Sequence, residues 1–259
     1  MPEPASADDF SPSPETPAEG PAGPTVLPVQ RVGALIEVLL CSGYPTQIIL
    51  LGLLTGLGLE MQTEAGRLSP TFVSILSLAD AVLLTGLVIY FINAHGESPL
   101  EVLLGRRPLI REALVGIILM PLLLLLVFLL LALVLTFAPQ LHNVPRNPFE
   151  DMLQTRSDAA AFAVVVLVAG GVREEIQRGF ILRRFQQYLG GGGVGLIVFS
   201  ALFGLGHIDQ GLDAVLATSL LGAAWGAVYL VRRSIVAPMV SHAAFNLAQL
   251  LKYVTLAGV

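Results

Sequence analysis

The sequence predicts an all-α, polytopic integral membrane protein: a bundle of about seven transmembrane helices behind a disordered N-terminal tail. Three observations carry this. Of 259 residues, 54% are hydrophobic and 13% charged, where a soluble chain carries about 25% charged residues. The run ALVGIILMPLLLLLVFLLLALVLTF (113–137) is uncharged over 25 residues, longer than the roughly 20 needed to span a bilayer. Residues 1–28 hold eight of the 17 prolines, five acidic residues and no Lys or Arg. Such a composition cannot bury a core and predicts disorder.

The tail has no basic region followed by a short apolar core, so it does not read as a signal peptide. Apolar stretches then predict helices near 32–59, 70–93, 112–137, 157–188, 194–208, 213–231 and 234–256. The fourth is apolar only in its first half and turns amphipathic through FILRRFQQYL. The chain divides into a tail (1–30), N-terminal transmembrane helices (31–150) and a C-terminal core (151–259) holding most of the unexpected polar residues. With the N-terminus cytoplasmic, Arg31, Arg106, Arg107, Arg111, Arg183, Arg184, Arg232 and Arg233 lie inside, and Arg67, Arg146, Arg156 and Lys252 outside. That distribution follows the positive-inside rule. The arginine pairs serve topology first and contact with anionic headgroups second.

The net charge of −5 comes largely from the first 30 residues, and nucleic acid is not an expected partner. The single cysteine, Cys41, excludes a disulfide framework, a Cys-based zinc site and a CxxC redox pair. It reads as a small packed residue. GAAWG (222–226) has GxxxG spacing and predicts close approach of a neighbouring helix or an oligomer contact.

Ionisable residues at membrane depth are costly, about 2.5–3.5 kcal/mol each on the insertion scale, and default to function. Three clusters stand out. GVREEIQRGF supplies Arg173, Glu174, Glu175 and Arg178; FGLGH ends at His207; SHAAFN holds His242 and Asn246. Glu174 and Arg178, Phe203 and His207, and His242 and Asn246 are each four apart, so each pair shares a helix face. GGGG (190–193) predicts the turn between the fourth and fifth helices. Counting outward at 1.5 Å per residue places Glu174 and His207 at one height, about 20–25 Å from it. His242 reaches that height only if helices tilt or hairpins are staggered.

A carboxylate shielded from water holds a proton to higher pH, as a general base near neutrality requires. An imidazole beside it can share a water, and a second His with an Asn amide can donate to an oxyanion. No GxSxG nucleophile motif competes. Glu174, His207 and His242 could supply three zinc ligands, though without HExxH spacing.

The set EE…R, FxxxH, HxxxN, in that order on late membrane helices, resembles the CPBP intramembrane proteases, the type II CAAX prenyl endopeptidases and their Abi relatives in bacteria. The resemblance spans roughly residues 155–252, with RGF after the glutamates and AP before the last motif. It implies an endopeptidase in a bacterial plasma membrane, acting on a membrane-associated peptide or protein, lipidated substrates among them. By it Glu174 and His207 activate water, His242 and Asn246 form the oxyanion hole, and Arg178 and Phe203 orient the site. The family has three residues between the glutamate pair and the arginine, whereas EEIQR has two. Anchoring on RG instead puts Arg173 at the first glutamate position and Glu174 at the second. Glu174 meets a family glutamate either way and is the expected base, with Glu175 next.

Two other readings stand beside the enzyme. A non-catalytic scaffold or immunity protein would keep the fold and use Glu174–Arg178 as an intramembrane ion pair. A proton-coupled transporter is disfavoured by the lack of an internal repeat and of discontinuous midplane helices. Asp80 and Glu37 join no cluster and read as structural, and Asp209 and Asp213 as solvated loop residues.

Overall fold

The computed structural model describes residues 26–258, and within them the chain is helical, with a single isolated antiparallel bridge, Gln62 to Leu68. The predicted disordered tail lies almost wholly outside the described residues. Its boundary at residue 30 moves earlier, because α1 (Pro28–Leu40) opens at Pro28. Proline suits the first turn of a helix, where no N–H is needed.

The predicted helix over 32–59 is broken. After α1 the chain turns at Cys41–Gly43, with Gly43 left-handed at φ 89°, and resumes as α2 (Tyr44–Gly56). A side chain would be strained there, so glycine marks the break. α3 (Pro70–Ala94) starts at a Ser69 cap that accepts from the Phe72 amide, followed by Pro70. A short α4 (Pro99–Leu103) leads into α5 (Leu109–Phe137), the most apolar rod.

After a 3₁₀ turn and the short α6 (Pro148–Asp151), α7 (Arg156–Val165) opens on a Thr155–Asp158 capping box. It passes without a break through a π-helical stretch, Val166–Arg173, into α8 (Glu174–Tyr188). The glycine turn follows, with Gly190 and Gly191 at φ 95° and 97°, and α9 (Gly192–Leu205) doubles back. α10 (Leu212–Arg232) and α11 (Val236–Ala257) complete the bundle.

Each expected helix thus has a counterpart, but among the described residues length and apolarity mark four candidate spans rather than seven: Pro28–Gly56, α3, α5 and α10. α9 is apolar but shorter, and the other two rods carry the polar residues of the site. The outward face of α5, with Ile118, Leu122, Phe128 and Leu133, stays exposed, as expected of a surface whose solvent is lipid.

Where lipid is as apolar as the core, helices associate through small residues and close packing. Gly116 of α5 lies against α11, where an added Cβ would come within 2.6 Å of the Ala237 carbonyl. Gly222 and Gly226 turn toward Phe203 and Leu196 of α9, so the GxxxG seam is spent inside the chain. Gly171 in the π stretch faces Ala243 of α11 in the same way.

Candidate active site

The three motif clusters converge on the interior. Glu174 and His207 both line one cavity of about 190 Å³, bounded by the α1–α2 break, α8 and α9. The hairpin count therefore placed these two side chains correctly. His242 also reaches this level from the second turn of α11. Its Nδ1 lies 2.8 Å from Glu175 Oε1 and its Nε2 3.7 Å from Glu174 Oε2.

The pairing of the charges differs from the expected one. Arg178 is bonded to Glu175, not Glu174, and both are fully enclosed at 0% and 1% side-chain exposure, against 21% for Glu174. The pairing is made within α8, where an i,i+3 contact serves as well as i,i+4, and the π stretch before it sets how α8 as a whole is turned. Its i→i+5 turns take in an extra residue, so the register carried from α7 does not continue into α8. Glu175 then points inward at Arg178, three residues on, and Glu174 points at the cavity.

Arg178 lies beneath three aromatic rings, with Cζ 4.9 Å from the Phe203 centroid, 5.2 Å from Phe199 and 5.6 Å from Trp225. Ring faces attract a cation, more strongly away from water. Phe203 thus holds Arg178 and also meets the edges of His207 and His242, at 5.0 and 6.3 Å. Trp225 stacks on His242 at 3.8 Å, and its indole N–H donates to Ser241 Oγ at 3.2 Å.

Asp80 belongs to the cluster, against expectation. It pairs with Arg173 at 2.5 Å and accepts from Thr46 Oγ1 at 2.5 Å. Arg173 also donates to Gln177, whose amide reaches the Cys41 carbonyl at 2.8 Å. The break between α1 and α2 is thereby fastened to the residue preceding Glu174. A lone Asp in an apolar helix was the available signal, but its partner lies far away in sequence. Glu37 likewise has partners, Arg184 and His95, each at 2.6 Å. Asp213 is buried, not solvated, and pairs with His142 at 2.7 Å.

Tautomers follow from the partners. A carbonyl oxygen only accepts, so His207 Nδ1 donates its N–H to the Phe203 carbonyl, 2.8 Å away. Neutral His207 then keeps a lone pair on Nε2. His207 itself lies just past the end of α9, not within the helix. His242 Nδ1 donates to the Glu175 carboxylate by the same logic, leaving Nε2 toward Glu174.

Asn246 is one turn beyond His242 and off the cavity wall. Its amide reaches the Val166 carbonyl at 3.5 Å. Among the described residues, no three His, Cys, Asp or Glu side chains are arranged to hold a metal ion. Glu174, His207 and His242 therefore do not form a zinc set in this geometry.

Residues 156–248, from the start of α7 through the HxxxN motif of α11, match the family model described as type II CAAX prenyl endopeptidase, Rce1-like. The resemblance read from the motifs is thus shown over this region. No curated protein and no solved structure matches the chain.

Proposed function

With residues 156–248 an Rce1-like stretch, we propose that the protein is an intramembrane endopeptidase that hydrolyses a peptide bond of a membrane-associated peptide or protein. One observation carries the reading. Of the three carboxylates at this level, Asp80 and Glu175 each have an arginine, while Glu174 has none among the described residues. It is also the one that lines the cavity.

In this proposal a water bridges Glu174 Oε2 and His242 Nε2, whose 3.7 Å separation is a spacing at which a shared water is to be considered. Glu174 takes a proton as the water oxygen attacks the scissile carbonyl carbon. It returns that proton to the leaving nitrogen as the C–N bond breaks, giving an amine and a carboxylic acid, whose remaining water proton then passes to the amine to leave a carboxylate and an ammonium group. Glu175 orients His242 through Nδ1, and the Trp225 ring fixes the imidazole plane. His207, on the same cavity wall, polarises the carbonyl when protonated. Asn246 takes no step here, because its amide is engaged with Val166.

The cavity walls include Val198, Leu202, Phe199 and Phe203, which suit an apolar stretch of substrate, a lipidated C-terminus included. On this reading residues 151–259 are the catalytic core and residues 31–150 support it through Asp80 and the helix break. The setting we propose is a bacterial plasma membrane with the N-terminus cytoplasmic.

The scaffold reading draws on the buried Asp80–Arg173 pair, which ties α3 to the π stretch, and on the Glu175–His242 bond, which ties α8 to α11, whether or not catalysis occurs. Comparing protein termini in membrane proteomes from wild type and Glu174→Gln separates the two. Termini present only in wild type establish the protease and name its substrates. Identical termini, with the variant stably made and rescuing a deletion phenotype, would leave the scaffold.

A further inference from the structure

A second cavity, of about 650 Å³, lies at the opposite end of α8 from Glu174. Arg106 and Arg107 from the loop before α5, Arg183 of α8, and Arg232 and Arg233 at the end of α10 all line it. They come from three parts of the chain that the fold brings together.

Their charges are not all cancelled. Arg183 pairs with Glu97 at 2.6 Å, and Arg232 grips buried Glu112 through two bonds of 2.6 and 2.7 Å. Arg106 meets Glu101 at 3.1 Å, both side chains well exposed, a geometry of little strength in water. Arg107 spends only its Nε, on the Arg232 carbonyl at 3.1 Å, and Arg233 bonds neutral Gln186. Among the described residues neither has a carboxylate partner. Behind the cleft, Arg184 is balanced by Glu37 and shares Glu97. Five arginines against Glu97, Glu101 and Glu112 leave two positive charges, on the two exposed guanidinium groups.

The backbone holds those two side by side. Gly105 is pressed against the Arg233 carbonyl, where no Cβ would fit. Arg233 is left-handed at φ 56°, the one non-glycine so placed among the described residues. Such strain is retained where the surroundings over-determine it, often at binding sites. Location indicates the ligand. Arg107 lies two residues before α5 and Arg233 directly follows α10, two of the four candidate spans among the described residues. Where such helices leave the hydrocarbon, the surrounding anions are headgroup phosphates, and guanidinium forks match phosphate oxygens bidentately.

We infer that this cleft binds a phosphate anion, presented by the headgroup of an anionic phospholipid, between Arg107 and Arg233. The full-length protein in nanodiscs of mixed phosphatidylcholine and phosphatidylglycerol, read by native mass spectrometry, tests it. Wild type should retain phosphatidylglycerol, and Arg107→Gln/Arg233→Gln should lose about tenfold of that retention, as removal of charge-assisted bonds predicts. Arg107→Lys/Arg233→Lys should keep most of it, and Arg67→Gln/Arg146→Gln, outside the cleft, all of it. Displacement by free glycerol phosphate at equal concentration would assign the site to a soluble phosphate, whereas resistance assigns it to the lipid. Equal retention in wild type and the Gln variant overturns the inference. Should that variant fail to fold, an absence of preference for phosphatidylglycerol in wild type overturns it alone.

Discussion

Glu174 and His242 face each other across 3.7 Å, and the far nitrogen of His242 is held by Glu175 at 2.8 Å. Adjacent glutamates thus do different work around one imidazole. Glu175 is buried against Arg178 and orients the ring; Glu174 meets the cavity with no arginine beside it.

Glu174→Gln should therefore lower cleavage by about 10²–10⁴-fold, the usual contribution of a general base, with little change in Tm. Turnover of a substrate found from the termini comparison, in proteoliposomes, measures this. Undiminished turnover in the variant would end the assignment of Glu174 as the base.

Glu175→Ala should act on stability first. It strands Arg178 as a buried charge among Phe199, Phe203 and Trp225, and removing one partner of such a pair costs about 3–5 kcal/mol. Glu175→Leu with Arg178→Met should recover much of that loss without restoring the imidazole's orientation, since leucine cannot accept from His242 Nδ1. Thermal unfolding in detergent alongside turnover reads both effects, and an unchanged Tm for Glu175→Ala would show the pair to be energetically idle.

The break in the first rod should be equally sensitive. Gly43 is left-handed, and a Cβ there would run into the Arg173 guanidinium. Gly43→Ala should cost about 1–2 kcal/mol for the backbone conformation alone and displace Arg173, next to Glu174, so Tm and turnover should fall together. Asp80→Ala should reproduce the loss by leaving Arg173 unpaired. If both variants match wild type, the break is not coupled to the site.

Acid should loosen the bundle at the end where α3 meets α8. Burial alone would raise the carboxyl pKa of Glu97, but hydrogen bonds and charge from Arg183 and Arg184 bring it below its ordinary 4.5. A group whose folded pKa is depressed stabilises the fold above its unfolded value and loses that contribution as pH falls through the folded one. Wild type should therefore lose stability below about pH 4.5. Glu97→Gln should be less stable at neutral pH and show a shallower acid decline. Parallel Tm-versus-pH curves for the two proteins would contradict this.

Much was legible in the sequence because helices and their order follow from local pattern. Apolar length located the rods, GGGG located the hairpin, and counting from it set Glu174 and His207 at one height. Motif order identified the Rce1-like region. The cost of charge in lipid singled out Arg173, Glu174, Glu175 and Arg178 before any contact was known.

Tertiary structure decided the partners. Arg178 can meet a glutamate three or four residues back on its own helix, and the rotation of α8, entered through a π-helical stretch that 3.6-residue periodicity does not register, decides which glutamate turns inward with it. Asp80 finds Arg173, and His242 finds both glutamates, only once tilt and stagger are set by glycine contacts such as Gly171 on Ala243 and Gly116 on α11. The sequence by itself determined which residues must be kept from lipid; the packing of helix against helix determined which of them neutralise one another and which, Glu174, is left facing the cavity.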